Sequence, residues 1–239
     1  MKSTFLVEPA TAYEQMTPVR CLHALFSVVG LLILWPCQAD PCLQLPAPTV
    51  SVKRLEEDVA LNVEHGYRSL GVLAAALARP GKQILGLTRG NAVVKFESRS
   101  PTLRDRNGRW ECASPQVVVS YGFSPLTIYV ASEFPKGSCA WQEIYDHEMR
   151  HVVTYRQHIV NIEAALTESL QRRFVNSGIW RGPTGQFNAT LQREMNERWL
   201  PYIKREIARV EAAQVVIDTP EEYARVAESC QGEVKRRLR

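Results

Sequence analysis

The 239-residue sequence lacks several patterns that would identify common classes of protein. It contains no C-x-x-C pair, which argues against a zinc knuckle held by cysteines and against a thioredoxin-like redox site. Internal repeats and low-complexity segments are also missing. The 29 basic residues barely exceed the 25 acidic ones, and they are scattered, so nothing indicates a nucleic-acid surface.

The apolar run at residues 22–36 is too short for a comfortable membrane span, which takes about 20 apolar residues. It follows Arg20 and precedes small residues ending at Ala39, a pattern typical of a secretory signal peptide. We therefore predict an N-terminal extension and signal peptide over residues 1–39, cleaved after Ala39, and one domain over residues 40–239. The protein would then be periplasmic or extracellular and free of the membrane; an uncleaved anchor is the alternative.

Four cysteines follow the predicted cleavage site: Cys42, Cys112, Cys139 and Cys230. An even number in an oxidising compartment favours two disulfides. Of the three pairings we prefer Cys112–Cys139, which closes a loop before a long helix, together with Cys42–Cys230, which joins the two ends of the domain.

The period of the apolar residues changes halfway along the chain. Strand patterns occupy residues 49–54, 83–88, 92–98, 116–121 and 126–131, with turns at 89–91, 106–108 and 122–125 and a short helix at 69–78. Helical patterns cover residues 141–176 and 189–216, with a bend at Pro201, and a third helix starts at a capping box, Thr219 to Glu222. These patterns predict an α+β fold: an antiparallel sheet followed by a long helix and a helical hairpin.

The most specific motif is His-Glu-Met-Arg-His at residues 147–151, within the long predicted helix. Histidines four residues apart project from one helix face, so His147 and His151 can bind a single zinc ion. Glu148 would then stand beside the open coordination position, where a carboxylate can take a proton from water whose pKa zinc lowers to roughly 7. The alternative is a surface helix that carries these three residues by chance.

Through this motif, its exported context and the order of sheet before helix, the chain resembles the zincins, and loosely the predicted secreted zinc-dependent proteases of bacteria. The resemblance implies zinc ligation by His147 and His151 and general-base catalysis by Glu148. It also implies that residues 124–131 form an edge strand beside the substrate cleft. The chain departs from the metzincin pattern at Thr154 and Gln157, and from the gluzincin spacing at Leu170. The third ligand is therefore not implied.

Geometry narrows the choice of that ligand. His158 stands about 10 Å beyond His151 along an unbroken helix, too far to join the same site; it would line the cleft or be partly exposed. An antiparallel hairpin around residue 182 places residue 149 opposite residue 215. This register brings Glu211, Asp218, Glu221 and Glu222 nearest the motif. Glu222 already belongs to the capping box, so Asp218 is the first choice and Glu211 the second. Tyr155, one turn after His151, would either donate to a developing oxyanion or, by preference, pack in the core.

Three functions follow from these patterns. The first is a secreted or periplasmic zinc peptidase acting on a peptide, a protein or a cell-wall peptide. The second is a catalytically inactive zincin-like module for binding or envelope assembly. The third is a disulfide-bonded envelope protein without metal. The oligomeric state and the cleavage specificity are not encoded in any recognisable pattern.

Overall fold

The computed structural model describes residues 40–74 and 83–238. The predicted signal peptide and its cleavage site lie outside these residues, as does the end of the short helix predicted at 69–78. The strands are β1 (Thr49–Leu55), β2 (Ala60–Asn62), β3 (Gly86–Ser98), β4 (Thr102–Arg104), β5 (Trp110–Ala113), β6 (Gln116–Val130) and β7 (Trp180–Pro183). The helices are α1 (Tyr67–Leu73), α2 (Cys139–Phe174), α3 (Phe187–Glu194), α4 (Leu200–Ala208), α5 (Val210–Val215) and α6 (Pro220–Arg237), the last of which is broken at residues 229–232, where the backbone is not helical. None of the helices described is long and apolar enough to cross a membrane.

The mixed α and β composition agrees with the sequence, but the direction of the strands does not. β3 pairs with β6 in the antiparallel sense, whereas β1 and β2 both run parallel to β6 along its other edge. The larger sheet is therefore mixed, and the prediction of an antiparallel sheet is wrong for it. Alternation of apolar residues identifies a strand, but the direction depends on connections that alternation does not encode.

Two predicted turns are also absent, because β3 and β6 continue through them. In β3 the register with β6 shifts between Gly90 and Ala92, a bulge that lets the strand continue. A side chain at Gly90 would approach Phe123 Cδ1 to 2.9 Å, so glycine here permits close contact between the strands. The predicted turn at 106–108 is present between β4 and β5, which form a small antiparallel sheet with β7.

Because β6 has partners on both edges, it is the central strand and not the edge strand expected at residues 124–131. The outer strands of this sheet, among the residues described, are β3 on one side of β6 and β1 and β2 on the other. Alternate side chains of β6 are buried against α2, which crosses the sheet. This packing explains why β6 is apolar over most of its length: its apolar positions fill the core of the domain.

The long helix α2 matches the helix predicted at 141–176, with its first turn capped by Ser138, whose Oγ accepts from Trp141 N at 3.2 Å. The second predicted helix is divided into α3, a π-helical turn (Met195–Trp199), α4 and α5. Pro201 is the second residue of α4 and has no N–H to donate to the carbonyl four residues earlier, which accounts for the break in front of it. Thr219 caps α6 by accepting from Glu222 N at 3.1 Å.

Four cysteines form two disulfides, as predicted, but the predicted pairing is wrong. The bonds join Cys42 to Cys112 and Cys139 to Cys230, with Cα separations of 6.0 and 5.8 Å. The first bond attaches the short 3-10 helix (Pro41–Gln44) to β5, and the second attaches the start of α2 to α6. Pairing depends on which elements pack together in space, and sequence separation gives no information about that.

Candidate metal centre

The helical spacing of His147 and His151 brings their imidazole rings together on one face of α2. Their Nε2 atoms lie 3.3 Å apart and the ring centroids 5.1 Å apart. Both rings are buried, at 7% and 8% exposure, although histidine is polar. A buried polar pair of this kind needs hydrogen-bond partners. These partners come from α5, from α6 and from the connection between them.

Asp218 supplies the third side chain, from the connection between α5 and α6. Its Oδ1 atom lies 3.1 Å from His147 Nε2 and 3.3 Å from His151 Nε2, so the three atoms form a nearly equilateral triangle. These three residues form a buried group that could hold a metal ion. The Asp218 side chain is 36% exposed, which opens the group to solvent on that side.

The triangle has the dimensions of one face of a tetrahedral zinc site. Ligand atoms about 2.0–2.1 Å from zinc in tetrahedral geometry are separated from one another by roughly 3.3 Å. The observed sides are 3.1, 3.3 and 3.3 Å. Two imidazole nitrogens and one carboxylate oxygen also form a donor set that zinc accepts, and three protein ligands leave the fourth position open.

The outer nitrogen of His151 fixes the orientation of its ring. His151 Nδ1 lies 2.7 Å from Gln214 Oε1, while Gln214 Nε2 donates to the backbone oxygen of His151 at 3.2 Å. The second contact fixes which end of the amide faces the ring, so Nδ1–H donates to Oε1. The lone pair of His151 is therefore on Nε2, directed at His147 and Asp218.

The outer nitrogen of His147 faces a charged network. Its Nδ1 lies 3.3 Å from Glu222 Oε1 and 2.9 Å from Arg150 Nη2. Because arginine only donates, the contact with Arg150 is a hydrogen bond when Nδ1 carries no proton, and the contact with Glu222 is one when Nδ1 is protonated. Hydrogen bonds from Arg225 and Arg150, followed by the contact with His147, hold the pKa of Glu222 well below its usual range. Glu222 therefore stays ionised and can orient His147 for ligation through Nε2.

Electrostatics at the three ligands favour a cation between them. Burial opposes charge at Asp218, but hydrogen bonds with His147 and His151 hold the pKa of its carboxyl well below its usual range. Burial would lower the pKa of His151, yet its contacts with Asp218, Glu148 and Gln214 raise it. The group thus attracts a positive charge, whether a proton on His151 or a metal ion in its place.

The side chain of Glu148, between the two histidines in the sequence, lies against β3. Its Oε2 accepts from Thr88 Oγ1 at 2.8 Å, and its Oε1 packs against Gly86, where an added Cβ would stand only 2.5 Å away. Burial raises the pKa of Glu148, an effect that the positive charges of His151 and His147 reduce. A carboxyl group in this setting takes up a proton more readily than an exposed one.

Other residues singled out in the sequence lie outside the three-residue group. His158 Nε2 donates to the backbone oxygen of Glu206 at 2.8 Å and so joins α2 to α4. Glu211, the second choice for the third ligand, is in the first turn of α5 and is not a member of the group. Tyr155 packs against both halves of the hydrophobic core, in agreement with the preferred interpretation, and its ring contacts Phe123.

Two residues that contact the site, Gln214 and Thr88, are not predicted from the sequence, and the role of Glu222 is predicted only in part. Gln214 and Thr88 are polar residues without any motif, and nothing in the sequence distinguishes them. Glu222 was assigned to the capping box, but its carboxylate contacts His147, Arg150 and Arg225. Its position four residues after Asp218, in the segment predicted to face the motif, was the one available signal.

Comparison with known protein families, curated proteins and solved structures gives no significant match.

We expect Glu222→Gln to weaken zinc binding by about 10- to 100-fold, the usual effect of removing the partner that orients a metal-binding histidine. The matched control is Glu143→Gln, because Glu143 also pairs with Arg225, at 2.7 Å, but is not a partner of His147. Competition with a chromophoric chelator measures both affinities. Equal effects of the two substitutions would show that the network stabilises α6 and does not act on His147.

Proposed function

We propose that this protein is an exported, zinc-dependent peptidase. The observation that carries the proposal is the triangle of His147 Nε2, His151 Nε2 and Asp218 Oδ1, with the buried carboxyl group of Glu148 next to it on α2. A tetrahedral fit and an N₂O donor set favour zinc over metals that prefer six oxygen ligands. The substrate would be a peptide, a protein or a cell-wall peptide.

The two histidines and Asp218 would hold the ion, and Gln214 and Glu222 would keep the imidazoles correctly oriented. When bound, zinc polarises both water and a carbonyl group, which favours attack of water on a peptide bond. The carboxylate of Glu148 takes the proton from the attacking water and later returns it to the amine that leaves. The raised pKa of Glu148 suits both transfers, since the group must hold a proton between them.

Export is part of the proposal. Both disulfides lie in the part of the chain that follows the predicted cleavage site, and such bonds persist in oxidising compartments. The basic, apolar and small-residue pattern ending at Ala39 supplies the targeting signal.

The decisive experiment is Glu148→Gln in protein made in an oxidising compartment and loaded with zinc. We expect the metal content to be unchanged, because both imidazoles and Asp218 remain in place. Hydrolysis of a peptide library should fall by a factor of order 10² or more, the usual contribution of a general base. Metal is measured by mass spectrometry and cleavage by liquid chromatography of the peptide products.

Glu211→Gln serves as the control, since it removes a carboxylate from the neighbouring α5 and should change neither quantity. Zinc binding without cleavage of any peptide by the native protein would contradict the peptidase and favour the zincin-like binding module. The burial of Glu148 and its bond to Thr88 would then be structural. Absence of bound metal would contradict both, leaving the disulfide-bonded envelope protein.

A further inference from the structure

A second concave site lies on the same helix as the candidate ligands. It is a cavity of about 500 Å³ between the end of β1, the chain that follows it and the middle of α2. This volume is within the range of sites that hold small ligands, roughly 300–1,000 Å³. Its floor is apolar: Phe123, Leu126 and Ile159 are buried, and the ring of Tyr155 meets Phe123 edge-on at 4.5 Å.

The wall of the cavity carries charged side chains, some of which are paired with an opposite charge and some of which are not. Arg54 is shared between two carboxylates, Glu56 at 3.0 Å and Glu163 at 2.5 Å. One positive charge thus faces two negative ones, and its own pKa is raised by them. Little positive potential from Arg54 is left for a ligand.

The remaining charges lie on the loop after β1 and on α2. Arg156 Nη2 donates to the backbone oxygen of Glu57 at 3.2 Å, and the carboxylate of Glu57 accepts from Ser124 Oγ at 2.6 Å. Asp58 is exposed and, among the contacts of the described residues, has no hydrogen bond or ion pair. Two positive and three negative side chains therefore line the cavity around its apolar floor: Arg54, Arg156, Glu56, Glu57 and Asp58.

We propose that this cavity binds a basic side chain of the substrate, with the alkyl stem on the apolar floor and the cation at the acidic rim near Asp58. This inference rests on the proposed peptidase function and adds a specificity to it. Lysine and arginine match the cavity because both combine an apolar stem with a charged end. A net negative rim attracts such an end and repels a carboxylate.

The position of the cavity fits a substrate that also reaches the metal centre. Tyr155, on the cavity floor, follows His151 by one helical turn, which is about 6 Å along the axis of α2. An extended peptide advances about 3.3 Å per residue, so a few residues of substrate span the distance along α2 between the candidate ligands and the cavity.

The test uses the full mature protein, loaded with zinc, and fluorescent hexapeptides that differ at one position. Each position in turn carries lysine, its neutral analogue norleucine, or glutamate. We expect, at one position, lysine peptides to bind about tenfold more tightly than norleucine peptides, and glutamate peptides more weakly still. Asp58→Asn should reduce the preference for lysine about threefold, as expected for one exposed ion pair. Fluorescence anisotropy measures binding directly.

Two further variants sharpen the result. Glu97→Gln removes an exposed carboxylate from β3, opposite Val118, and should leave the preference unchanged. Val160→Trp at the half-exposed rim should fill the cavity and weaken binding of the lysine and norleucine peptides alike. Equal binding of lysine and norleucine, a preference for glutamate, no effect of Asp58→Asn, or no binding at all would each overturn the inference.

Cleavage measured on the same peptides separates the two proposals. Hydrolysis without any preference for lysine would overturn the inference about the cavity and leave the peptidase intact. A preference for lysine that depends on Asp58, without hydrolysis, would overturn the peptidase and show that the cavity binds basic side chains in its own right.

Discussion

Replacing His151 by alanine is expected to lower the affinity for zinc by a factor of order 10³. Zinc sites in small domains have apparent binding free energies of about 10–16 kcal/mol, so losing one of three protein ligands removes a large share of that energy. The two side chains left, His147 and Asp218, would form only one edge of the coordination face. Competition titration against chelators of known affinity gives the constant for each variant.

His158→Ala is the matched control for this prediction. His158 lies on the same helix, and its replacement removes a hydrogen bond to Glu206 that joins α2 to α4. We expect it to lower stability slightly and to leave zinc affinity unchanged. If His151→Ala retained zinc as tightly as His158→Ala, the triangle would not be a metal site, whatever its dimensions.

Removing the Cys139–Cys230 disulfide is expected to cost roughly 4–5 kcal/mol of the free energy of unfolding, because it closes a loop of 91 residues in the unfolded chain. The same change should also weaken zinc binding. Asp218 precedes α6, and Glu222 lies in its first turn, so both depend on where α6 is held. Two other contacts attach α6 to α2: Arg225 forms an ion pair with Glu143, and Glu233 accepts a hydrogen bond from the N–H of Ala140.

The second disulfide provides the control. Cys42–Cys112 closes a loop of similar length, 70 residues, but it attaches the 3-10 helix to the smaller sheet. Serine at both of its cysteines should lower stability by a similar amount and leave zinc affinity unchanged. Urea unfolding and chelator competition are measured for both double variants. Equal losses of zinc affinity in the two would mean that general destabilisation, and not the position of α6, controls the metal site.

The predicted residues that lie together in the structure, His147, His151 and Asp218, do so partly because of local geometry. Histidines four apart on a helix face the same way whatever the rest of the fold does. The register of the hairpin was accessible as well, because two antiparallel helices of known length meet at predictable positions. The contacts of His158 with Glu206 and of His151 with Gln214 agree with the predicted pairing of residue 149 with residue 215. That pairing made Asp218 the first choice.

The predictions that are wrong concern contacts between segments that are distant in the sequence. β1 pairs in parallel with β6 across more than sixty residues, and nothing in either strand specifies that direction. Cys112 faces Cys42, and not Cys139, because β5 belongs to the smaller sheet, an arrangement that no local pattern records. The sequence predicts a turn at Gly90 where the structure has a bulge, because glycine is common in turns and bulges alike.

The length of α2 has a consequence for how the domain unfolds. Thirty-six residues at 1.5 Å each extend about 54 Å, and both hydrophobic clusters pack on this one helix, with Tyr155 in contact with each. If α2 unfolds, both hydrophobic clusters lose residues that pack in them. The two halves of the core are thus thermodynamically linked, and the domain behaves as a single cooperative unit in which a defect in either half is shared by both.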